Sequence, residues 1–317
     1  MGKRTVTARR LTGVAGAAVL VAAVALTSPV AAAAAKGWER FANCPVSGMF
    51  EEQYEICVYA QSLYNQPAQW EGPEPPSQFT AGNVTIRLKR SLVLQGGLKE
   101  LLGPEEGQEL IRPEDGAPEL VPVDQTVPGG LRSMVDPALL SGEALAAFRA
   151  AVKHENAATV TIEAAPEHAA ITVNNLALLT GSGPFLTLPV KVRFNNPFLG
   201  EHCYSGSDAA PIEIELTSGT TAPPPPAEPI SGQVGHLNEI GRSEGHAILA
   251  LVEDSIVSNN FAAPGVEGCA SDPAWSEEVD AAIDEQSGLP SPAGRNSTRI
   301  DGTQYLTAGE WVKQHGF

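Results

Sequence analysis

The sequence predicts a mostly β fold, an antiparallel sandwich or open barrel with one or two short helices and long loops. Several segments rich in β-branched residues alternate between apolar and polar side chains, as half-buried strands do. Glycine, proline, asparagine and serine separate these segments, and helix patterns do not alternate with them as in a parallel α/β sheet.

The strand signal is clearest in "TVTIEA" (159–164) and "IEIELT" (212–217), where every second residue is apolar. Residues 84–94, 171–179 and 186–194 are also predicted strands, and "ICVYAQ" (56–61) and "HAILALV" (246–252) add two more. The segment "GQVGHLNEI" (232–240) is a poor strand by the same criteria.

The first predicted helix follows Asp136, a candidate N-cap, and Pro137, which is typical of the first helical position. The alanine-rich sequence "SGEALAAFRAAVKHE" then places Leu145, Phe148 and Val152 on one face.

The second predicted helix begins at Ser276, which is followed by two glutamates. Val279 and Ile283 share one face, and Gly288 followed by Pro290 marks the end.

Two loops stand out between these elements. Residues 99–133 are dense in glycine, proline and glutamate and have no convincing period beyond "VPVDQTV", a stray edge strand. Residues 222–229 are proline-rich and semi-rigid. A disulfide across the second loop would prevent it from acting as a hinge, so we expect residues 36–317 to form a single β-rich domain.

The first 35 residues have the order of a cleavable signal peptide. A basic start is followed by an apolar stretch at 11–26, then by Pro29 and a run of alanines that offers several cleavage sites. The apolar stretch is shorter than the 18 or more residues that a spanning helix needs, so we expect cleavage and no membrane span. A secreted protein, extracellular or associated with the cell envelope, is the predicted product.

The charge of the chain argues against two classes of partner. The full sequence carries 20 basic and 37 acidic residues, a formal net charge of −17, and loss of the basic signal peptide makes it more acidic still. Nucleic acid and anionic membrane surfaces are therefore improbable partners.

The four cysteines are Cys44, Cys57, Cys203 and Cys269, and all lie after the predicted signal peptide. In an exported chain they predict two disulfides, for which three connectivities exist. We favour Cys44 with Cys57 and Cys203 with Cys269. A zinc site is the alternative, but no Cys-x-x-Cys pair supports it.

One pentapeptide has the form of a hydrolase nucleophile elbow: Gly241-Arg242-Ser243-Glu244-Gly245, directly before His246. The elbow needs a strand before the serine and a helix after it, whereas "AILALV" resembles a strand. The only histidine after His246 is His315, near the end of the chain. A tight turn between strands is the preferred interpretation.

No other residues form a recognisable catalytic, cofactor or metal motif. The histidines are scattered, with no spacing that would put two on one metal, and are interpreted as surface residues. Calcium binding near Glu253, Asp254 or Asp301 lacks the loop sequence that calcium sites use. A glycosidase carboxylate pair is not recognisable from sequence, since such pairs are defined by their separation in space. The sequence thus predicts no catalytic residue, no cofactor and no metal ligand.

Several longer segments resemble a known family. They are "GWERFANCPV" (37–46), "VLQGGL" (93–98), "VPGGL" (127–131), "LPVKVRFNNPFLGEHCYSGS" (188–207), "ELTSGTTAPPPP" (215–226) and "NNFAAPGVEGC" (259–269). As a set they resemble a family of secreted actinobacterial proteins with no assigned function. The resemblance covers most of the chain after the signal peptide and ends near "GLPSPAG" (288–294). It implies an exported protein, supports the favoured cysteine pairing and supplies no catalytic residue.

These observations favour a non-enzymatic extracellular or envelope-associated protein that binds an unknown ligand or protein partner. A secreted hydrolase acting on polysaccharide or ester substrates is the alternative. A carrier of apolar small molecules is a third possibility, if the sheet closes around a cavity.

Overall fold

The structure, a computed structural model, describes residues 37–47, 56–62, 77–100, 107–113, 116–165, 167, 169–243 and 245–316. The predicted signal peptide lies outside these residues. No helix in the described part of the chain combines the length and apolar character needed to cross a bilayer.

The described residues form one large antiparallel sheet that curls into a half-barrel, with few short helices. This confirms the predicted fold class. The sixteen strands described are β1 (Ile56–Gln61), β2 (Gln78–Ala81), β3 (Val84–Arg87), β4 (Val93–Glu100), β5 (Gln108–Ile111), β6 (Leu120–Val121), β7 (Asp124–Thr126), β8 (Thr159–Ala164), β9 (Thr172–Val173), β10 (Leu186–Asn195), β11 (Tyr204–Ser205), β12 (Ile212–Leu216), β13 (His236–Ser243), β14 (His246–Ser258), β15 (Val266–Glu267) and β16 (Ser297–Ala308).

The main path through the sheet runs β13-β14-β16-β1-β4-β5-β9-β10-β11-β15. The remaining strands branch from it: β12 and β8 pair with β10, β7 with β8, β6 with β4, and β2 with β16 and β3. An isolated bridge between Thr217 and Val257, with two backbone hydrogen bonds of 2.9 Å, joins the end of β12 to β14. Strands far apart in the path therefore meet, as a curled sheet requires.

The α-helices of the described residues are α1 (Gly142–His154), α2 (Asn175–Thr180), α3 (Ser276–Ser287) and α4 (Gly309–Gln314). In α1, Phe148 is buried, as its predicted apolar face requires. Asp136 caps a separate 3-10 turn at Pro137–Leu139, and the N-cap of α1 is Ser141. The predicted second helix is α3, in which Val279 and Ile283 are fully buried.

Three sequence-based predictions about the elements were wrong in part. Residues 84–94 form β3 and the start of β4, separated by a break. Residues 171–179 form only the two-residue β9 and then α2, because the Asn174 side chain accepts a hydrogen bond from the backbone N–H of Ala177 and starts a helix. The poor strand at 232–240 contains the start of β13, which pairs along β14.

The predicted loop at 99–133 is more ordered than its composition suggests. Its described part holds β5, β6, β7 and a 3-10 turn at Gly130–Ser133. These strands are short and pair with longer neighbours, so their stability comes from the sheet and leaves little periodic signal in the sequence. Residues 222–229 contain no helix or strand, as predicted.

Both disulfides have the favoured pairing, Cys44–Cys57 and Cys203–Cys269. The first ties the N-terminal segment to β1, and the second joins the segment before β11 to the one after β15. Each therefore links chain segments that the sheet brings together.

The sheet is buried on both faces near β1 and β14. On one face, Val58 and Leu251 belong to the main core. On the other, Cys57 and Ile248 belong to a second cluster. The N-terminal segment and α4 cover that second cluster through Trp38, Phe41 and Val312, all of which are buried.

Candidate functional site

A β-bulge in β14 positions the carboxyl group of Asp254. Val252 pairs with Thr303 of β16, but Asp254 pairs with Gly302, so Glu253 is an extra residue on β14. An inserted residue moves the following side chains to the opposite face. Ile248 accordingly lies in the second cluster, whereas Ile256 lies in the main core.

Gly302, opposite the bulge, allows a close approach of backbones. A methyl group at this position would clash with the carbonyl oxygen of Gln61 on β1. The absence of a side chain therefore lets β1 and β16 lie close beside Asp254. Gln61, Asp254 and Gly302 line one side of a pocket.

The pocket is an open, mainly apolar cleft. Its other side comes from β4, β6, β10 and adjoining residues, and contains Leu92, Leu94, Leu120, Phe185, Leu186 and Leu188. Because β14 and β10 are distant in the strand order, the pocket exists only because the sheet curls. Its volume is about 70 Å³. That exceeds the roughly 10–15 Å³ that one water needs and is about half of an apolar cavity known to bind benzene.

Among the described residues, Asp254 has the most strongly shifted pKa. The residue is 6% exposed, and this burial is the main cause that raises the pKa of the carboxyl to about 7. The nearby Asp301 raises it further, whereas hydrogen bonds from the backbone N–H groups of Asp254 and Gly302 lower it. Arg299 lies 3.1 Å from the Asp301 carboxylate. The pocket wall thus carries a carboxyl group that changes protonation near neutral pH.

Gln304 of β16 supplies a second polar group at the pocket. Its Nε2 donates to Oδ1 of Asn175 over 3.1 Å, and Nδ2 of Asn175 donates to Oε1 of Gln108 over 3.0 Å. This chain of amides fixes the orientation of Gln304. Its Oε1 is buried and has no hydrogen-bond partner within the described residues. Gln304, a residue of the pocket wall, therefore carries an acceptor that no donor of the described residues satisfies.

The pentapeptide at Gly241 is not a nucleophile elbow. Ser243 ends β13 and pairs with His246 at the start of β14, so the local structure is strand, turn, strand. The preferred interpretation, a tight turn, is confirmed. Glu244 lies outside the described residues.

The histidines are less scattered than the sequence suggests. Nδ1 of His246 lies 3.4 Å from Nε2 of His315, although the two residues are far apart in the chain. His154, His202 and His236 are exposed, as predicted, and His168 lies outside the described residues.

Sequence reasoning missed the pocket and its polar groups. The sequence pattern gives Asp254 no role beyond that of an unsupported calcium ligand, and it does not single out Gln304. Asp254 lies next to Glu253 in an acidic pair, which resembles a solvated surface. The available signal was the apolar sequence on both sides of that pair, "AILALV" before it and "SIV" after it, which indicates a buried strand.

The half-barrel, its second cluster and the pocket are formed by the residues of this chain. Comparison of the chain with protein-family models, with curated proteins and with solved structures finds no match to any of them.

Proposed function

We propose that this protein is a non-enzymatic extracellular binding protein for a small, mainly apolar molecule that carries a hydrogen-bond donor. The apolar part of the ligand occupies the cleft between β14 and β10. The donor is accepted by Oε1 of Gln304, beside Asp254. The observation that carries the proposal is a mainly apolar pocket whose wall includes Gln304, a residue with a buried acceptor that no described residue satisfies.

The size and polarity of the pocket limit the ligand. A volume of about 70 Å³ accommodates one end of a molecule and not a long lipid chain. A ligand carboxylate is disfavoured, because the wall already holds Asp254 close to Asp301. Alcohols and amines have both the apolar part and the donor that the wall accepts.

Butan-1-ol and its isomer 1-methoxypropane make a direct test, since only the alcohol has an O–H donor. Titration followed by two-dimensional 1H–15N NMR is expected to show saturable shifts of the Ala60, Gly302 and Gln304 amides with the alcohol. We expect the ether to bind at least about tenfold more weakly, because it leaves the Gln304 acceptor unpaired.

The substitution Ala60→Leu narrows the pocket and should abolish these shifts. Ala146→Leu, which makes the same change on the exposed face of α1, is the control. Equal binding of both molecules, or binding that Ala60→Leu leaves unchanged, contradicts the proposed site.

We also propose that the chain is exported and that residues 1–35 are removed. The two disulfides support this, since such bonds persist mainly in oxidising compartments. Expression in a secreting host followed by intact mass measurement should give a protein of the culture medium that begins near residue 36 and has lost four thiol protons. A full-length reduced protein retained in the cells would contradict export. The resemblance to secreted actinobacterial proteins stays a prediction.

A further inference from the structure

Two histidines that are 69 residues apart in the chain meet beside the second cluster. His246 is the first residue of β14, on the side of the sheet that the second cluster covers. His315 directly follows α4, which packs against the same side. Their facing ring nitrogens, Nδ1 of His246 and Nε2 of His315, are 3.4 Å apart, and the rings are nearly perpendicular.

The separation of these nitrogens matches that of two imidazoles on one metal ion. Histidine nitrogens bind zinc at about 2.0–2.1 Å, and tetrahedral angles then place two of them about 3.3–3.4 Å apart. A hydrogen bond between the rings is the alternative use of the same distance. Addition of a metal ion distinguishes the two possibilities, because a metal site binds the ion and a simple hydrogen bond between the rings does not.

Aromatic side chains hold both rings in place. The Trp311 ring lies parallel to the His246 ring at 5.2 Å, with an interplanar angle of 9°. The Trp38 ring stacks on the His315 ring at 4.1 Å. Trp38 is itself buried, so the position of His315 is fixed by the second cluster. The pair is therefore preorganised, which lowers the entropy lost on binding an ion.

We propose that His246 and His315 together bind a divalent transition-metal ion, with water in the remaining coordination positions. Imidazole suits zinc, copper and nickel, and the acidic chain attracts cations. No group of three or more histidine, cysteine, aspartate or glutamate ligands occurs in the described parts of the chain. The site is therefore open and exchangeable, unlike a closed structural zinc site. Both histidines remain partly accessible to solvent.

The test uses the purified full-length mature protein without a polyhistidine tag. Isothermal titration with Zn²⁺ is expected to give a saturable site with one ion per chain. His246→Gln and His315→Gln are each expected to raise the dissociation constant at least tenfold. His236→Gln removes an exposed histidine from the neighbouring strand β13 and should change it less than twofold.

A second measurement on the unsubstituted protein keeps the test independent of whether the variants fold. A crystal soaked in Zn²⁺ should show an anomalous scattering peak between the two rings. Cu²⁺ bound there should quench the fluorescence of the adjoining Trp38 and Trp311 in a saturable manner. No peak at the pair, or zinc binding that survives both substitutions, would overturn the proposal and leave a simple hydrogen bond between the rings.

Discussion

Asp254 illustrates how a single residue connects folding with pH. Its carboxyl group is buried, and its pKa is raised to about 7 in the folded protein. The folded chain therefore keeps a proton that the unfolded chain has already released between about pH 4 and pH 7. Stability from this group is complete below about pH 4 and falls as the pH rises through 7.

The substitution Asp254→Asn should remove this loss of stability. We expect the variant to gain free energy of unfolding relative to the natural protein at pH 8, on the order of a few kcal/mol, and to gain little at pH 4. Urea unfolding at both values measures the effect. Glu213→Gln, an exposed change on β12, should show no such pH dependence. A gain of equal size at both pH values would show that the asparagine acts through packing and not through charge.

At the level of single residues, the sequence predicted what depends on local chemistry. The turn at Ser243 follows from turn-forming residues, whereas the cysteine pairing was favoured among three connectivities and is confirmed by the structure. The contact between His246 and His315 does not follow from local chemistry, because it depends on how α4 packs against the sheet beside the start of β14. The burial of Asp254 likewise depends on a bulge that no local pattern announces.

At the level of elements, capping decides between strand and helix. Residues 171–179 have the apolar character of a strand, yet the Asn174 side chain starts α2 after only two strand residues. Its Oδ1 accepts from the N–H of Ala177 over 3.1 Å. Short apolar runs are ambiguous in period, so the N-cap carried the information that the prediction missed.

Replacement of this cap has a defined cost. Asn174→Ala is expected to lower the free energy of unfolding by about 1 kcal/mol, since it removes the side-chain acceptor of the Ala177 N–H in the first turn of α2. Leu176 lies in the same helix and is 64% exposed. The free energy of unfolding of Leu176→Ala should stay within about 0.5 kcal/mol of that of the natural protein. Denaturant unfolding compares the three proteins. Equal stability of both variants would mean that the cap does not hold α2.

Strands that alternate were predicted best. In β12, the residues from Ile212 to Leu216 are buried and exposed in strict succession, and β8 has the predicted bounds. Strands β5, β6, β7 and β9 are short and depend on their partners, so their own sequences contain little of the signal. Prediction succeeded for strands whose own sequence alternates between buried and exposed residues. It failed for short strands that are stabilised mainly by pairing with a neighbour.

At the level of the whole molecule, the two disulfides close loops of different length. Their cysteines are separated by 13 and 66 residues along the chain. In the chain-entropy account, a crosslink restricts the unfolded chain more when its loop is longer. The structure therefore predicts unequal contributions to stability.

We expect the double substitution of Cys44 and Cys57 by alanine to cost about 3 kcal/mol, and that of Cys203 and Cys269 about 4 kcal/mol. Thermal unfolding of the two variants beside the oxidised natural protein measures the order. A larger loss from the N-terminal pair would indicate that this bond mainly holds the segment around Trp38 on the sheet, and that loop length is secondary.

The position of β16 has a consequence for how the protein is made. This strand is the last of the described strands, yet it pairs with β1, β2 and β14, and so lies inside the sheet. Until residue 308 has left the ribosome, β1 and β14 each lack a neighbour and expose unpaired backbone groups. The sheet therefore cannot be completed before residue 308 is available, and the long-range pairing makes its assembly slow. A chain whose sheet stays incomplete until β16 is available is, up to that point, one that can still be threaded through a narrow channel.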